Sequence, residues 1–284
     1  MKGMKLQAYL FGLFAILFFS PPLFALRIVA LSPNLTVIVH DIIQNAQSTK
    51  VKLVGTVRYQ GEPAYFEKLT NVGDASAVNI EQILLLEPDV VLAWEGGGNI
   101  RSIAQLKSLG IHVISLKADS LEGIAILVRS VGVAIDLAQS ANILANKYLV
   151  DLKALKPIKH AIPESVFLQL STAPIYTVGN QGILPEILMF CGGKNIFENL
   201  SGMSVQVSPE AVLHNNPKVI LLLSSVPPSK KQYQKTIDSN WEKWSFLSAV
   251  KEGQIFQIDP NILSQNTPNI LHGVKVVCEI LSDA

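Results

Sequence analysis

Two stretches of the chain carry the same order of apolar and polar positions. Val78 to Trp94 reads VNIEQILLLEPDVVLAW and Val207 to Leu222 reads VSPEAVLHNNPKVILL, and they align without a gap, Glu81 on Glu210 and Pro88 on Pro217. Asn79 and Ser208 are good N-caps, and Pro209 suits the first helical position. Glu81 and Glu210 fall in first turns, where the helix dipole favours an anion. Each proline forbids the helix from continuing, and the run after it (Val90 to Ala93, Val219 to Leu222) is apolar without alternation, as a strand buried on both faces requires. The repeat predicts two α/β halves of similar build, each with its own sheet.

The remaining pattern fills in both halves. Arg27 to Leu31 predicts a strand, followed by an apolar helix through Ile43 and a second strand over Val51 to Thr56. Ile103 to Leu109 predicts a helix stopped by Gly110, and Ile111 to Leu116 another strand. From Ser120 to Lys156 there is no proline and apolar residues recur at helical spacing, with Gly132 the one place to break or bend. A continuous helix there would be roughly 50 Å long, a stiff spacer between lobes. The second half has strands over Ser165 to Leu170 and Gln254 to Ile258, helices over Gly182 to Phe190 and Asn269 to Leu281, and Trp241 and Trp244 as packing residues. The expected fold class is α/β, two Rossmann-like lobes bridged by one long rigid helix: 26–117 the N-terminal lobe, 118–157 the bridge, 158–284 the C-terminal lobe.

Composition narrows the picture. Hydrophobic residues make up 49% of the 284 and charged residues 16%, enough to bury a core. A net charge of +1 gives no electrostatic reason to expect nucleic acid. Residues 1–25 join Lys2 and Lys5 to the apolar stretch Ala8 to Phe19, then Pro21, Pro22 and Ala25, as in a secretory signal peptide cleaved after Ala25. The alternative is an uncleaved anchor, but the prolines interrupt the run before the roughly 20 residues a spanning helix needs. Export leads to an oxidising compartment, in which Cys191 and Cys278 either bridge or remain two buried thiols.

Candidate chemistry gathers at the strand ends, where open α/β sheets hold ligands. Tyr59 and Trp94 lie there in the first half, Trp94 followed by Glu95 and three glycines, Gly96 to Gly98, and Tyr176 lies on a matching loop in the second. The glycines lack the spacing of a phosphate cradle and suit close approach of backbone to a large ligand. There is no GxSxG elbow and no HExxH, and His40, His112, His160, His214 and His272 never fall within four residues of one another. Nothing nominates a catalyst, a metal ligand set or a cofactor site.

These stretches together carry a resemblance. Ile28 to Pro33 (IVALSP), Glu87 to Gly97 (EPDVVLAWEGG), Leu106 to Val113 (LKSLGIHV), Val166 to Leu170 (VFLQL), Phe190 to Phe197 (FCGGKNIF) and Val207 to Pro217 are similar to the periplasmic vitamin B12 binders of ATP-driven importers, whose two lobes are joined by one rigid helix. The resemblance implies a non-enzymatic receptor, monomeric when free, with cobalamin or another corrinoid held between the lobes as cargo. It implies that Glu81 and Glu210 dock into basic pockets of a permease dimer in the inner membrane, and that Cys191 and Cys278 form a bridge.

For the pocket, it matches Tyr59, Trp94, Gly97 and Tyr176 to ligand contacts, Tyr176 standing where a phenylalanine is usual. It departs at Ala75 and Ser204, where tryptophans are expected, and at Asn261 and Gln265, where a charged pair is expected. A ferric siderophore or haem is the alternative ligand, and it would call for Arg, His or Tyr partners in the cleft.

Overall fold

The burial of the elements follows the sequence pattern closely. The computed structural model describes residues 25–59, 61–74, 77–95, 99–158, 161–224, 233–236 and 239–283; Gly97, Ala75 and residues 1–24 lie outside them. The first half runs β1 (Leu26–Ala30), α1 (Pro33–Ala46), β2 (Val51–Thr56), a 3-10 turn (Ala64–Lys68), β3 (Thr70–Asn71), α2 (Ile80–Leu85), β4 (Val90–Trp94), α3 (Ile100–Ser108) and β5 (Val113–Leu116). Its strands pair in the order β3-β2-β1-β4-β5, all parallel.

Two helices follow, α4 (Leu121–Ala134) and α5 (Ala138–Leu155). The second half runs β6 (Glu164–Thr172), β7 (Ile175–Thr177), α6 (Ile183–Phe190), β8 (Gly193–Asn195), β9 (Val205–Gln206), α7 (Pro209–Asn215), β10 (Val219–Leu223), β11 (Tyr233–Lys235), α8 (Ser239–Glu242), α9 (Ser248–Lys251), β12 (Ile255–Ile258) and α10 (Ile270–Ser282). Its sheet has the order β11-β12-β10-β6-β7-β9, with β8 also paired to β6.

The sequence repeat is a structural repeat. In each half the helix is capped by the residue named for it: the Asn79 side chain accepts the Gln82 N–H at 2.9 Å, and Ser208 accepts the Ala211 N–H at 3.3 Å. Both helices end at a residue with φ of 42°, Glu87 and Asn216, immediately before the proline. The strand that follows then pairs in parallel with the first long strand of its own half, Ile28 on Val90 and Val166 on Val219.

The apolar runs are buried on both faces. Ile28, Ala30, Val90 and Leu92 join one core, while Val29, Leu31, Val91 and Ala93 join another under α2 and α3. In the second half Val219 and Leu221 face inward, and Ile220 and Leu222 pack outward with Phe167 and Trp241. Trp241 packs as expected; its indole N–H donates to the buried Gln169 Oε1 at 2.8 Å. The inward faces of both sheets, the helix pair and α10 form a single continuous core, so the lobes are fused rather than tethered.

The bridge differs from a continuous rod over 118–157. It is a helix hairpin, broken at 135–137. Asp136 takes φ of 56°, and the Leu137 N–H returns to the Gly132 carbonyl at 2.8 Å, closing α4 with a left-handed turn. Gly132 is there for close approach: a Cβ on it would stand 2.1 Å from the Ala141 Cβ. Buried Ile135 carries the apolar spacing through the turn, which is why the break leaves so little mark on the pattern. The 18-residue α5 is about 27 Å long. It packs on α1 of one lobe and α10 of the other, and α4 packs on α1 and α6. Cys191, just after α6, is bonded to Cys278 on α10, which fixes α10 to the second lobe.

Candidate functional site

Parallel strands point their carboxyl ends at one edge of a sheet, and the chain leaves β1 toward β2 on one side before returning to β4 on the other. The crevice outside that switch is where an open α/β sheet holds a ligand. A cleft of about 530 Å³ opens there. Leu31 to Asn34 after β1, Tyr59 after β2, Trp94 and Glu95 at the end of β4, and Asp119 after β5 supply the first lobe's wall. Gln181 to Leu184 at the start of α6, Met203 and Ser204, and the strap Leu263 to Asn266 after β12 supply the second.

The two walls touch at the base. Gln265 Nε2 donates to the Tyr59 phenol oxygen at 2.8 Å, and Asn266 Nδ2 donates to the Ala118 carbonyl at 2.8 Å. Burial raises the Tyr59 pKa, opposed by the Gln265 hydrogen bond, so the phenol keeps its proton. Its oxygen accepts from Gln265, which leaves its own O–H available as a donor. Glu186 of α6 reaches across to accept the Leu121 N–H at 2.7 Å, capping α4; burial pushes its carboxyl upward despite that bond.

The polar lining is mostly neutral. Asn34, Asn99, Gln181, Gln265 and Asn266 offer amides, while Glu95 and Asp119 are carboxylates. Lys117 stands behind those two, its Nζ 3.2 Å from Asp119 and 3.9 Å from Glu95. No Lys, Arg or His is among the described lining residues. Among the described residues no group of three His, Cys, Asp or Glu is placed to hold a metal ion.

A family model described as periplasmic binding protein matches residues 28–262, both lobes and the hairpin between them. The chain belongs to that family. The vitamin B12-binding protein of Salmonella paratyphi A (strain ATCC 9150 / SARB42) is 30% identical over 258 residues, 90% of each chain. The crystal structure of the periplasmic vitamin B12 binding protein BtuF of Vibrio cholerae superposes with a TM-score of 0.72 at 29% identity, over 91% of this chain and 97% of that one. The periplasmic haem-binding protein BhuT in complex with two haems reaches a TM-score of 0.73 at 20% identity, over 90% and 98%, and that likeness shows the fold alone.

In this periplasmic binding protein the expected ligand residues separate into two groups. Tyr59, Trp94 and Gln265 share the cleft. Tyr176 is not on a strand-end loop: β6 runs on to Thr172 and turns back, so Tyr176 sits in β7, paired with Ser171 and Gln206, half-buried and outside the cleft lining. Asn261 is exposed and lies over Gly61, its Nδ2 3.0 Å from where a Cβ would be; it lines neighbouring cavities instead. Gly97 lies outside the described residues. Sequence reasoning missed Asn34, Asp119, Gln181, Met203 and Asn266, since lone amides and a lone methionine carry no pattern. Met203 is 58% exposed beside Ser204 and presents apolar surface to the cleft next to the position where a tryptophan was expected.

Glu81 and Glu210 are both exposed. Each lies in the first turn of its helix, Glu81 in α2 and Glu210 in α7, and neither lines the cleft. The Glu210 carboxyl is held low by backbone and Ser208 hydrogen bonds, which keeps it ionised.

Proposed function

We propose that this periplasmic binding protein captures a corrinoid, cobalamin first among them, in the interlobe cleft and delivers it to the permease of an ABC importer. The observation that carries the reading is the lining: aromatic faces at Tyr59 and Trp94 and five neutral amides, with no Lys, Arg or His among the described lining residues. A corrinoid has a broad apolar ring face and a rim of carboxamides, which pair with Asn and Gln in both directions. Haem propionates bring negative charge, which Glu95 and Asp119, already sharing Lys117 between them, would repel. The names of the similar proteins, vitamin B12 binders at 29–30% identity, support the same ligand.

Capture needs no bond chemistry, and a cleft with fused walls avoids part of the ordering cost of binding. Glu81 and Glu210 serve as the two docking acids, one per lobe, for basic pockets of the permease. Residues 1–25 serve as the export signal, which places the mature chain in the periplasm. Gel filtration after incubation with micromolar cyanocobalamin tests capture: red colour should travel with the protein. Colourless protein peaks would remove the corrinoid reading and favour haem or a siderophore.

A further inference from the structure

Met203 reaches the cleft on a loop, residues 200–204, that is clamped against the start of α6. The Asn180 N–H donates to the Leu200 carbonyl at 2.9 Å, and the Gln181 N–H to the Gly202 carbonyl at 3.4 Å. Gly179 makes the approach possible: a Cβ there would stand 2.3 Å from the Leu200 oxygen and 2.6 Å from the Gly202 oxygen. The Met203 side chain then lies across Gly182, where a Cβ would be 3.6 Å from Met203 Cγ and 3.9 Å from Sδ. Gly182 and Met203 both line the cleft, and Met203 is 58% exposed. Its thioether is held in the ligand wall and is still open to solutes.

Few other sulfur atoms compete for an oxidant. The two cysteines of the chain are bonded to each other, so neither is a thiol. Of four methionines, Met1 and Met4 lie in the proposed export signal, which leaves Met189 and Met203. Met189, on α6, is 70% exposed and does not line the cleft, so it is a built-in control. A peroxide oxidises a thioether by two electrons: the S–O bond forms as the O–O bond breaks, and the peroxide is reduced to water. The sulfoxide is a polar side chain where an apolar, adaptable one stood.

We propose that Met203 is an oxidation site that switches capture, its thioether form holding the cleft's ligand and its sulfoxide form holding it more weakly. The switch rests on the corrinoid reading of the cleft.

Hydrogen peroxide treatment, desalting and calorimetric titration with cyanocobalamin test it, with peptide mass spectrometry to locate the added oxygen. Met189 and Met203 should each gain one oxygen. Oxidised wild-type protein should bind at least about fivefold more weakly, the low end of the cost of covering an unpaired polar group. The two methionine sulfoxide reductases, one per epimer, should restore the affinity. Met189→Leu should lose affinity on oxidation as the wild-type protein does. Met203→Leu keeps an apolar side chain of similar volume without the sulfur, and its affinity should be the same before and after peroxide. Met203 left unoxidised where Met189 is oxidised, an unchanged affinity in oxidised wild-type protein, or an equal loss in Met203→Leu would overturn the switch. Untreated protein that binds no cyanocobalamin would instead overturn the corrinoid reading, and the switch with it.

Discussion

The Tyr59 phenol oxygen lies 2.8 Å from Gln265 Nε2, a hydrogen bond between residues 206 positions apart that joins the two lobes at the base of the cleft. One side chain thus joins the lobes and lines the cleft in which the corrinoid is proposed to bind. Tyr59→Phe keeps the ring and removes both the acceptor for Gln265 and the O–H offered to the ligand. Cyanocobalamin affinity should fall about fivefold, the worth of one ordinary hydrogen bond at about 1 kcal/mol. Trp94→Ala removes contact area instead, and should cost about 2 kcal/mol, or roughly thirtyfold. Calorimetric titration of both variants separates the two effects; an equal loss in both would mean Tyr59 acts through its ring alone.

Charge reversal at Glu81 and Glu210 together should leave corrinoid affinity unchanged and abolish uptake through the importer reconstituted in vesicles. Both side chains are exposed at the starts of α2 and α7 and neither lines the cleft. Loss of affinity in the double variant would move these acids from docking to capture.

The half-buried Glu186 cap sets a pH dependence. Its carboxyl titrates above the ordinary range in the folded state because burial disfavours the charge, so folding takes up protons between the unfolded and folded values. Stability from this group is therefore greatest in acid and falls as pH rises through that window. Glu186→Gln keeps an oxygen for the Leu121 N–H and removes the charge. Urea titrations from pH 4 to 7 should show a flatter profile for the variant; a steeper one would contradict the assignment of burial as the main cause.

Gly132 is the point at which α4 and α5 touch, and a Cβ there would overlap Ala141. Gly132→Val should destabilise the protein by about 1–3 kcal/mol, as overpacking does, read as a lower urea midpoint. Because the hairpin belongs to a core shared by both lobes, one cooperative transition should persist.

What the sequence made legible was what local physics dictates. Pro88 and Pro217 each had to stop a helix, Val90 to Leu92 and Val219 to Leu221 had to be buried on both faces, and the repeat followed from that. The hairpin was hidden because Ile135 keeps the apolar spacing through a turn that Gly132 and Asp136 make possible. Tyr176 was misplaced because the strand before it extends past Leu170 and folds back, a pairing decided by β9 and β6 rather than by nearby residues. The cleft's amides come from four distant segments, and only their convergence gives them a shared role.

Side-by-side calorimetry of cyanocobalamin and haem against the purified protein, at one pH and one salt concentration, tests the neutral amide-lined cleft most directly. Cyanocobalamin should give a saturable one-to-one isotherm at micromolar protein, with no specific heat from haem. Saturable haem binding without a corrinoid signal would contradict the reading outright.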